Sequence, residues 1–208
     1  KKKDLFKLVD IVEKNNLWII SDEVYEELIF SEDFISPLEI ESLAKRTVVV
    51  SSISKSHAAP GFRSGWVFAQ ADVINKMLPL AETMLFGNQP FIADMTAYAI
   101  SNKSKTAIKM KTDYERRAKL ICKKLAKTKN IRPIMPKSGM FILIKLELNN
   151  YSDEKFAWEL LRTEGIAVMP GSSFGLNGKD LIRLSLTVPD NKLEKACERI
   201  DEFVRNIV

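Results

Sequence analysis

Short apolar runs that alternate with amphipathic helical stretches constrain this chain more than any other feature. Leu5, Leu8, Val9 and Val12 recur at helical spacing, so residues 3–15 read as an amphipathic helix. "LWII" at 17–20, "TVVV" at 47–50 and "GWVFA" at 65–69 read as short buried strands. Residues 71–86 and 89–101 read as helices, with Pro79 and the "GNQP" turn at 87–90 as interruptions. Strands and helices in this alternation predict an α/β fold with a largely parallel sheet.

The pattern then changes. Residues 104–128 form a long, highly charged helical stretch, with Ile108, Tyr114, Ala118, Ile121, Cys122 and Leu125 as its expected buried stripe. "MFILIKL" at 140–146, "GIAVM" at 165–169 and "LIRLSL" at 181–186 read as strands. Ser152 is placed to cap a helix whose first turn is acidic and which Gly165 ends. Leu193, Ala196, Cys197, Ile200, Phe203 and Val204 line one face of a last helix. These signals predict an α/β part over residues 1–105 and a smaller α+β part over residues 106–208.

Composition removes several classes of function. A chain of 208 residues can bury a real core in one or two domains. No apolar run approaches the roughly 20 residues needed to span a membrane, and no apolar signal region follows the opening lysines. Cys122 and Cys197 have no close-spaced partner, which argues against a disulfide scaffold and for a reducing cytoplasm. The single histidine, His57, rules out a multi-histidine metal site. The net charge of +5 is densest over residues 109–130, where interspersed acids make a solvated helix face the expected reading rather than a nucleic-acid surface. A GxGxxG turn after a strand and a GxxxxGK[ST] loop are both absent.

The chemistry concentrates in two blocks. "SSISKSHAAPGFRSGW" at 51–66 sets Lys55 just after the strand "TVVV" and Arg63 eight positions later, beyond the Pro60–Gly61 turn. "SDEVYEELIF" at 21–30 sets Asp22 directly after "LWII" and Tyr25 three residues on. Open α/β sheets bind ligands beyond the carboxyl ends of their strands, where both blocks fall. A lysine amine can serve as nucleophile or base when its surroundings free it from charge. A guanidinium fork suits phosphate or carboxylate, and Arg183 in "LIRLSLTVPDN" is a further such group. Taken singly, Lys55 reads as one surface lysine among many, Asp22 as a turn cap, Tyr25 as a packing residue and Arg183 as a surface charge.

Together, in this order and separation, the blocks resemble the class I/II aminotransferases, pyridoxal-phosphate (PLP) enzymes of fold type I. "VMPGSSFG" at 168–175 and "SGMFILIKL" at 138–146 resemble that family's small domain. The resemblance covers essentially the whole chain. It implies that Lys55 carries PLP as a Schiff base and moves the proton at the substrate's alpha carbon. It implies that Asp22 faces the pyridine nitrogen, Tyr25 bonds the ring's phenolic oxygen, and Ser52 and Arg63 bind the phosphate. Ser54 is a weaker candidate for the hydroxyl, and Arg183 would grip the substrate's alpha-carboxylate. The implied reaction is ping-pong transfer of an amino group from an L-amino acid to a 2-oxo acid, in a homodimer. Ser64 departs from the family's usual aliphatic residue and predicts looser local packing.

The family's glycine-rich phosphate loop, ring-stacking aromatic and ring-oxygen asparagine lie upstream of the matching region, so the chain is expected to be the C-terminal portion of a longer enzyme. Two neighbouring uses of the fold share these residues: a PLP-dependent carbon–sulfur lyase, and the effector-binding domain of a transcriptional regulator. "SKSHAAPGFRSGW" and "MLFGNQPF" resemble bacterial aminotransferases of broad or basic-amino-acid preference, including arginine–pyruvate types.

Overall fold

Helix α1 (Lys2–Lys14) opens a computed structural model that describes residues 2–30, 33–149 and 151–208. The chain divides into two compact units, Lys1–Met110 and Lys111–Val208.

In the first unit, β1 (Ile19–Asp22) pairs parallel with β2 (Thr47–Ser52), and β2 pairs antiparallel with β3 (Gly65–Phe68). The strand order β1-β2-β3 follows the sequence. The β1–β2 pairing is the parallel one expected. The β3 pairing is antiparallel because the β2–β3 connection holds only the one-turn helix α3 (Ile53–Ser56) and a 3-10 turn at Pro60–Phe62. Neither is long enough to carry the chain back to the opposite edge, as a parallel crossover requires.

A short helix, α2 (Glu41–Ala44), packs beside α1. Val12, Ile40 and Leu43 form the buried cluster there, with Leu5, Val9 and Ile19 against it. Leu8, expected on this face, is exposed. Two helices follow, α4 (Ala71–Leu85) and α5 (Pro90–Ile100). Pro79 lies inside α4 without ending it, and Thr83 Oγ1 donates to the Pro79 carbonyl at 2.8 Å. No residue of α4 is buried, so water can satisfy the carbonyl that the proline leaves unpaired.

Helix α6 (Lys105–Leu125) runs across the boundary between the units. Its buried residues are Ala107, Tyr114, Ala118, Ile121 and Leu125. Ile108 is exposed where the sequence pattern put it inside, and Ala107 takes that place. The charged face of α6 is paired with acids: Lys119 with Glu115 at 2.5 Å, Arg117 with Asp190 at 2.8 Å and Lys124 with Glu198 at 3.3 Å.

The second unit holds a four-stranded antiparallel sheet in the order β4-β5-β7-β6, formed by β4 (Ile131–Ile134), β5 (Phe141–Leu146), β6 (Met169–Pro170) and β7 (Leu181–Ser185). Of the expected strand at 165–169 only Met169 belongs to β6, which Pro170 completes before the 171–178 loop. Ile142, Ile144 and Leu146 of β5 and Ile182 and Leu184 of β7 face the core. Helix α7 (Asp153–Glu164) starts as expected: Ser152 Oγ accepts from the Lys155 N–H, and Gly165 closes the helix in a left-handed conformation. Helix α8 (Asp190–Ile207) buries Leu193, Cys197, Ile200, Phe203 and Val204.

Phe156 of α7 is fully buried and meets Phe203 of α8 edge to face, with ring centroids 5.2 Å apart. Replacing Phe156 with alanine removes a large side chain from a site with no solvent access. The expected cost is about 3–5 kcal/mol of stability, read as a shift in the denaturant midpoint with an unchanged slope.

Candidate active site

The strand register collects the candidate residues of the first unit at one edge of its sheet. Asp22 ends β1 opposite Val50, two residues before Ser52 ends β2. Gly65 begins β3 opposite Ser52. Lys55 therefore lies just past the carboxyl end of β2, and Arg63 lies two residues before β3 starts. The sequence from Ser52 to Gly65 leaves the sheet edge and returns to it.

That return depends on Gly65. A Cβ at this position would stand 2.7 Å from the Ser51 carbonyl oxygen and 3.1 Å from the Ser52 Cβ. Any larger residue would push β3 away from β2 and move Arg63 with it.

Lys55 is half-buried in α3. Ser52 caps this single turn: its Oγ accepts from the Ser54 N–H at 3.3 Å. The Ser52 hydroxyl hydrogen is not used by that bond, so it stays free to donate. The Ser56 hydroxyl donates to the Ser52 carbonyl at 3.4 Å and lies 2.9 Å from His57 Nδ1. His57 Nε2 lies 3.2 Å from the Ala99 carbonyl of α5, and the Ser104 hydroxyl donates to the Ser56 carbonyl at 2.9 Å. His57 thus packs against α5 and ties the lysine turn to it.

Arg63 is exposed and adopts a left-handed conformation, φ 52° and ψ 39°. Its Nη1 donates to the Pro60 carbonyl at 2.7 Å, which orients the guanidinium and leaves its other N–H donors available. Beside it, Ser64 is buried and does not simply loosen the packing. Its hydroxyl meets the Thr96 hydroxyl at 2.7 Å and accepts from Asn88 Nδ2 at 3.2 Å. A polar tie replaces an apolar contact and joins the start of β3 to α5 and to the turn before it. This connection was not legible in the sequence, because Thr96 and Asn88 are distant from Ser64 along the chain, and the "MLFGNQPF" block that holds Asn88 does not name its partner.

Asp22 is exposed, and its Oδ1 accepts from the Val24 N–H at 3.2 Å, so it does cap the turn that follows β1. Its second oxygen remains available for another donor. Tyr25 is half-buried in that turn. Glu23 is buried and accepts from the Ser36 hydroxyl at 2.7 Å, a structural role. Glu26 accepts from the Ser51 hydroxyl at 3.5 Å at the same sheet edge. Burial, then the charges of Glu23 and Glu27, raise the Glu26 carboxyl above its ordinary range.

Arg183 lies in the second unit, on β7, opposite Leu143 of β5 and Met169 of β6. Strand alternation sends Ile182 and Leu184 into the core and Arg183 to the other face. Its guanidinium carbon stands 4.1 Å from the Phe141 ring centroid and 4.3 Å from that of Phe174. Phe174 ends a 3-10 turn, Gly171–Phe174, whose Ser172 N–H donates to buried Asp153 Oδ2 at 2.7 Å. Among the described residues no cluster of three or more histidine, cysteine or acidic side chains is arranged to hold a metal ion, and no helix is long and apolar enough to cross a membrane.

A family model, aminotransferase class I and II, matches residues 1–200. The chain is 36% identical over 193 residues to an arginine–pyruvate transaminase of Pseudomonas aeruginosa, covering 93% of this chain and 49% of that one. It is 31% identical over 208 residues to an aspartate aminotransferase of Pyrococcus abyssi, covering 99% of this chain and 53% of that one. An aromatic aminotransferase structure from Pyrococcus horikoshii superposes with a TM-score of 0.94 at 30% identity, over 100% of this chain and 56% of that one. The chain belongs to the class I and II aminotransferase family, and its fold is the fold type I of PLP-dependent enzymes. Members of this family depend on PLP. The chain spans about half the length of the relatives it matches.

The residues at the sheet edge fit that cofactor. An amine, a guanidinium with unused donors, a hydroxyl with a free hydrogen and a carboxylate with a free oxygen match an aldehyde, a phosphate and a ring nitrogen in kind.

Two stability experiments follow from this geometry. Ser64→Ala and Thr96→Val each strand a buried polar partner and should cost about 1–3 kcal/mol. The double variant removes both groups and should cost less than the sum, which a thermal double-mutant cycle reads directly.

The second concerns Asp153. Burial alone would raise its carboxyl, but hydrogen bonds from Ser172 and from backbone N–H groups hold it below the usual range. The stability it contributes is therefore fully present above the unfolded carboxyl's pKa and is lost as pH falls through the depressed folded value. Asp153→Asn should be less stable than the parent at neutral pH, and the two should converge in acid; denaturation curves across pH measure the difference.

Proposed function

We propose that the complete protein is a PLP-dependent aminotransferase that moves an amino group from an L-amino acid to a 2-oxo acid in two half-reactions. The observation that carries this reading is the register: Asp22, Ser52, Lys55 and Arg63 come to one sheet edge from three strands. We assign residues 1–105 to the large, cofactor-binding domain and 106–208 to the small domain.

PLP, when bound, supplies an electron sink for the pair released at the substrate's alpha carbon. Lys55 is the covalent anchor. Lys55 would hold the cofactor's aldehyde carbon, and its amine, when free, would hold and move the proton of the substrate's alpha carbon. The half-buried setting of Lys55 keeps it near the reacting atoms, and the Ser52, Ser56 and His57 hydrogen bonds hold its turn in place. Arg63 and Ser52 bind the phosphate, a charge-assisted grip that fixes position and not reactivity. Asp22 holds the proton on the ring nitrogen by its negative charge, and Tyr25 bonds the phenolic oxygen. Arg183 binds the substrate's alpha-carboxylate through its two-pronged fork.

For the substrate pair, the likeness to an arginine–pyruvate transaminase supports a basic amino acid as donor and pyruvate as acceptor. Free Cys122 and Cys197 are consistent with a cytoplasmic enzyme. The family's architecture supports a homodimer.

In the full-length protein, borohydride reduction of the cofactor-loaded enzyme should leave the label on the Lys55 peptide. Lys55→Ala should lower turnover by at least about ten-thousand-fold. Label on another peptide, or normal turnover in Lys55→Ala, would refute the assignment. Thiol release from a sulfur amino acid without any 2-oxo acid would instead identify a lyase.

A further inference from the structure

Arg183 stands against two rings, Phe141 and Phe174, which lie in "SGMFILIKL" and "VMPGSSFG" but to which neither block gave a role. A free arginine side chain rotates about four bonds and samples many poses, so binding a carboxylate with it ordinarily carries an ordering cost. Here that cost falls on folding. The Phe141 and Phe174 ring centroids stand 4.1 and 4.3 Å from the guanidinium carbon. A cation held over aromatic faces gains a direct attraction, and the rings displace water from its surroundings. With two rings against it the group has fewer poses left, and its N–H donors can meet a planar carboxylate with two parallel hydrogen bonds.

The two rings are held differently. Phe141 begins β5, and the β5–β7 register sets it diagonally across from Arg183 on the same outward face. Phe174 has no strand to fix it and is 56% exposed. Its turn is pinned at two other points. Asp153, at the first residue of α7, accepts from the Ser172 N–H at 2.7 Å while only 2% exposed. Gly171 and Gly178 touch backbone to backbone: a Cβ on Gly171 would lie 2.1 Å from the Gly178 carbonyl oxygen.

We infer that Phe141, Phe174 and Asp153 are positioning residues for carboxylate recognition: the two rings clamp Arg183, and Asp153 holds the turn that delivers Phe174. This inference rests on the assignment of Arg183 to the substrate's carboxylate. It adds that recognition of the acid group is set by the second unit's own packing and hydrogen bonds.

The test uses the full-length, cofactor-loaded enzyme and measures the dissociation constant of pyruvate, the KM and kcat for the amino donor, and the affinity for PLP. Phe174→Ala and Asp153→Asn should each weaken pyruvate binding and raise KM by about tenfold, with a smaller change in kcat. Phe174→Tyr keeps a ring over the guanidinium and should bind pyruvate as the parent does. PLP affinity should be unchanged throughout. If Phe174→Ala and Asp153→Asn weaken pyruvate and PLP alike, the damage is general and the clamp is refuted. If Arg183→Ala loses pyruvate while both other variants bind it normally, the clamp is refuted and the role of Arg183 stands. If Arg183→Ala itself binds pyruvate normally, the carboxylate assignment falls and the clamp falls with it. Should Asp153→Asn fail to fold, the exposed Phe174 variants decide the matter alone.

Discussion

The contact between the end of β2 and the start of β3 is the constraint on which the candidate edge depends. Ser52 and Gly65 are register partners, and the absence of a side chain on Gly65 lets the two backbones meet. Residues 53–64 are thereby closed into a loop with fixed ends. Lys55 lies near its start and Arg63 near its finish, so two groups eight positions apart in sequence are returned to one place. Antiparallel pairing of β3 is what achieves this. A parallel β3 would need a long crossover, and Arg63 would then enter from the far edge of the sheet.

A loop closed in this way still has to be held rigid. Helix α3 is four residues long, far below the length at which a helix supports itself. Ile53, nearly fully buried, is its apolar plug. The rest of its support is polar: the Ser52 cap, the Ser56 and His57 contacts, the Ser104 hydroxyl on the Ser56 carbonyl, and the Ser64–Thr96–Asn88 group. Each such bond is worth only about 0.5–1.5 kcal/mol net, but each is directional. Apolar contacts would hold the loop without fixing its orientation; these bonds fix the orientation of the turn that carries Lys55.

Much of this was legible in the sequence, and the exceptions have particular causes. "TVVV" stood out as a strand because apolar runs bounded by polar residues have few other uses, whereas of "LWII" only Ile19 and Ile20 enter β1 and Ile20 is exposed rather than buried; Asp22 and Lys55 followed from their positions after those runs. β4 was missed because Pro133 interrupts it. It is an edge strand of its sheet, where a missing N–H is tolerated. Pro79 gave the opposite error, since a proline in an exposed helix breaks less than its reputation implies. Ile108 was assigned inward by hydrophobicity, yet Ala107 faces the core: a small residue fits where the helix packs closely, and size is invisible to a pattern of apolar against polar. The roles of Ser64 and Asp153 could not be read at all, because each depends on partners brought near only by folding.

Arg63 of the first unit and Arg183 of the second show how one side-chain type can be held in different ways. Arg63 is oriented through the backbone: a left-handed residue after the Pro60–Gly61 turn, tied by its own side chain to the Pro60 carbonyl. It is exposed, which leaves room for a phosphate with oxygens pointing in several directions. Arg183 is oriented by the Phe141 and Phe174 rings, whose centroids stand 4.1 and 4.3 Å from its guanidinium carbon. A planar carboxylate matches a guanidinium with two parallel hydrogen bonds. A lysine in place of either arginine would keep the charge, but its compact ammonium would have neither a plane to stack nor a fork to aim. The geometry around each arginine would therefore restrict the shape of the anion proposed for it more narrowly than the charge alone does.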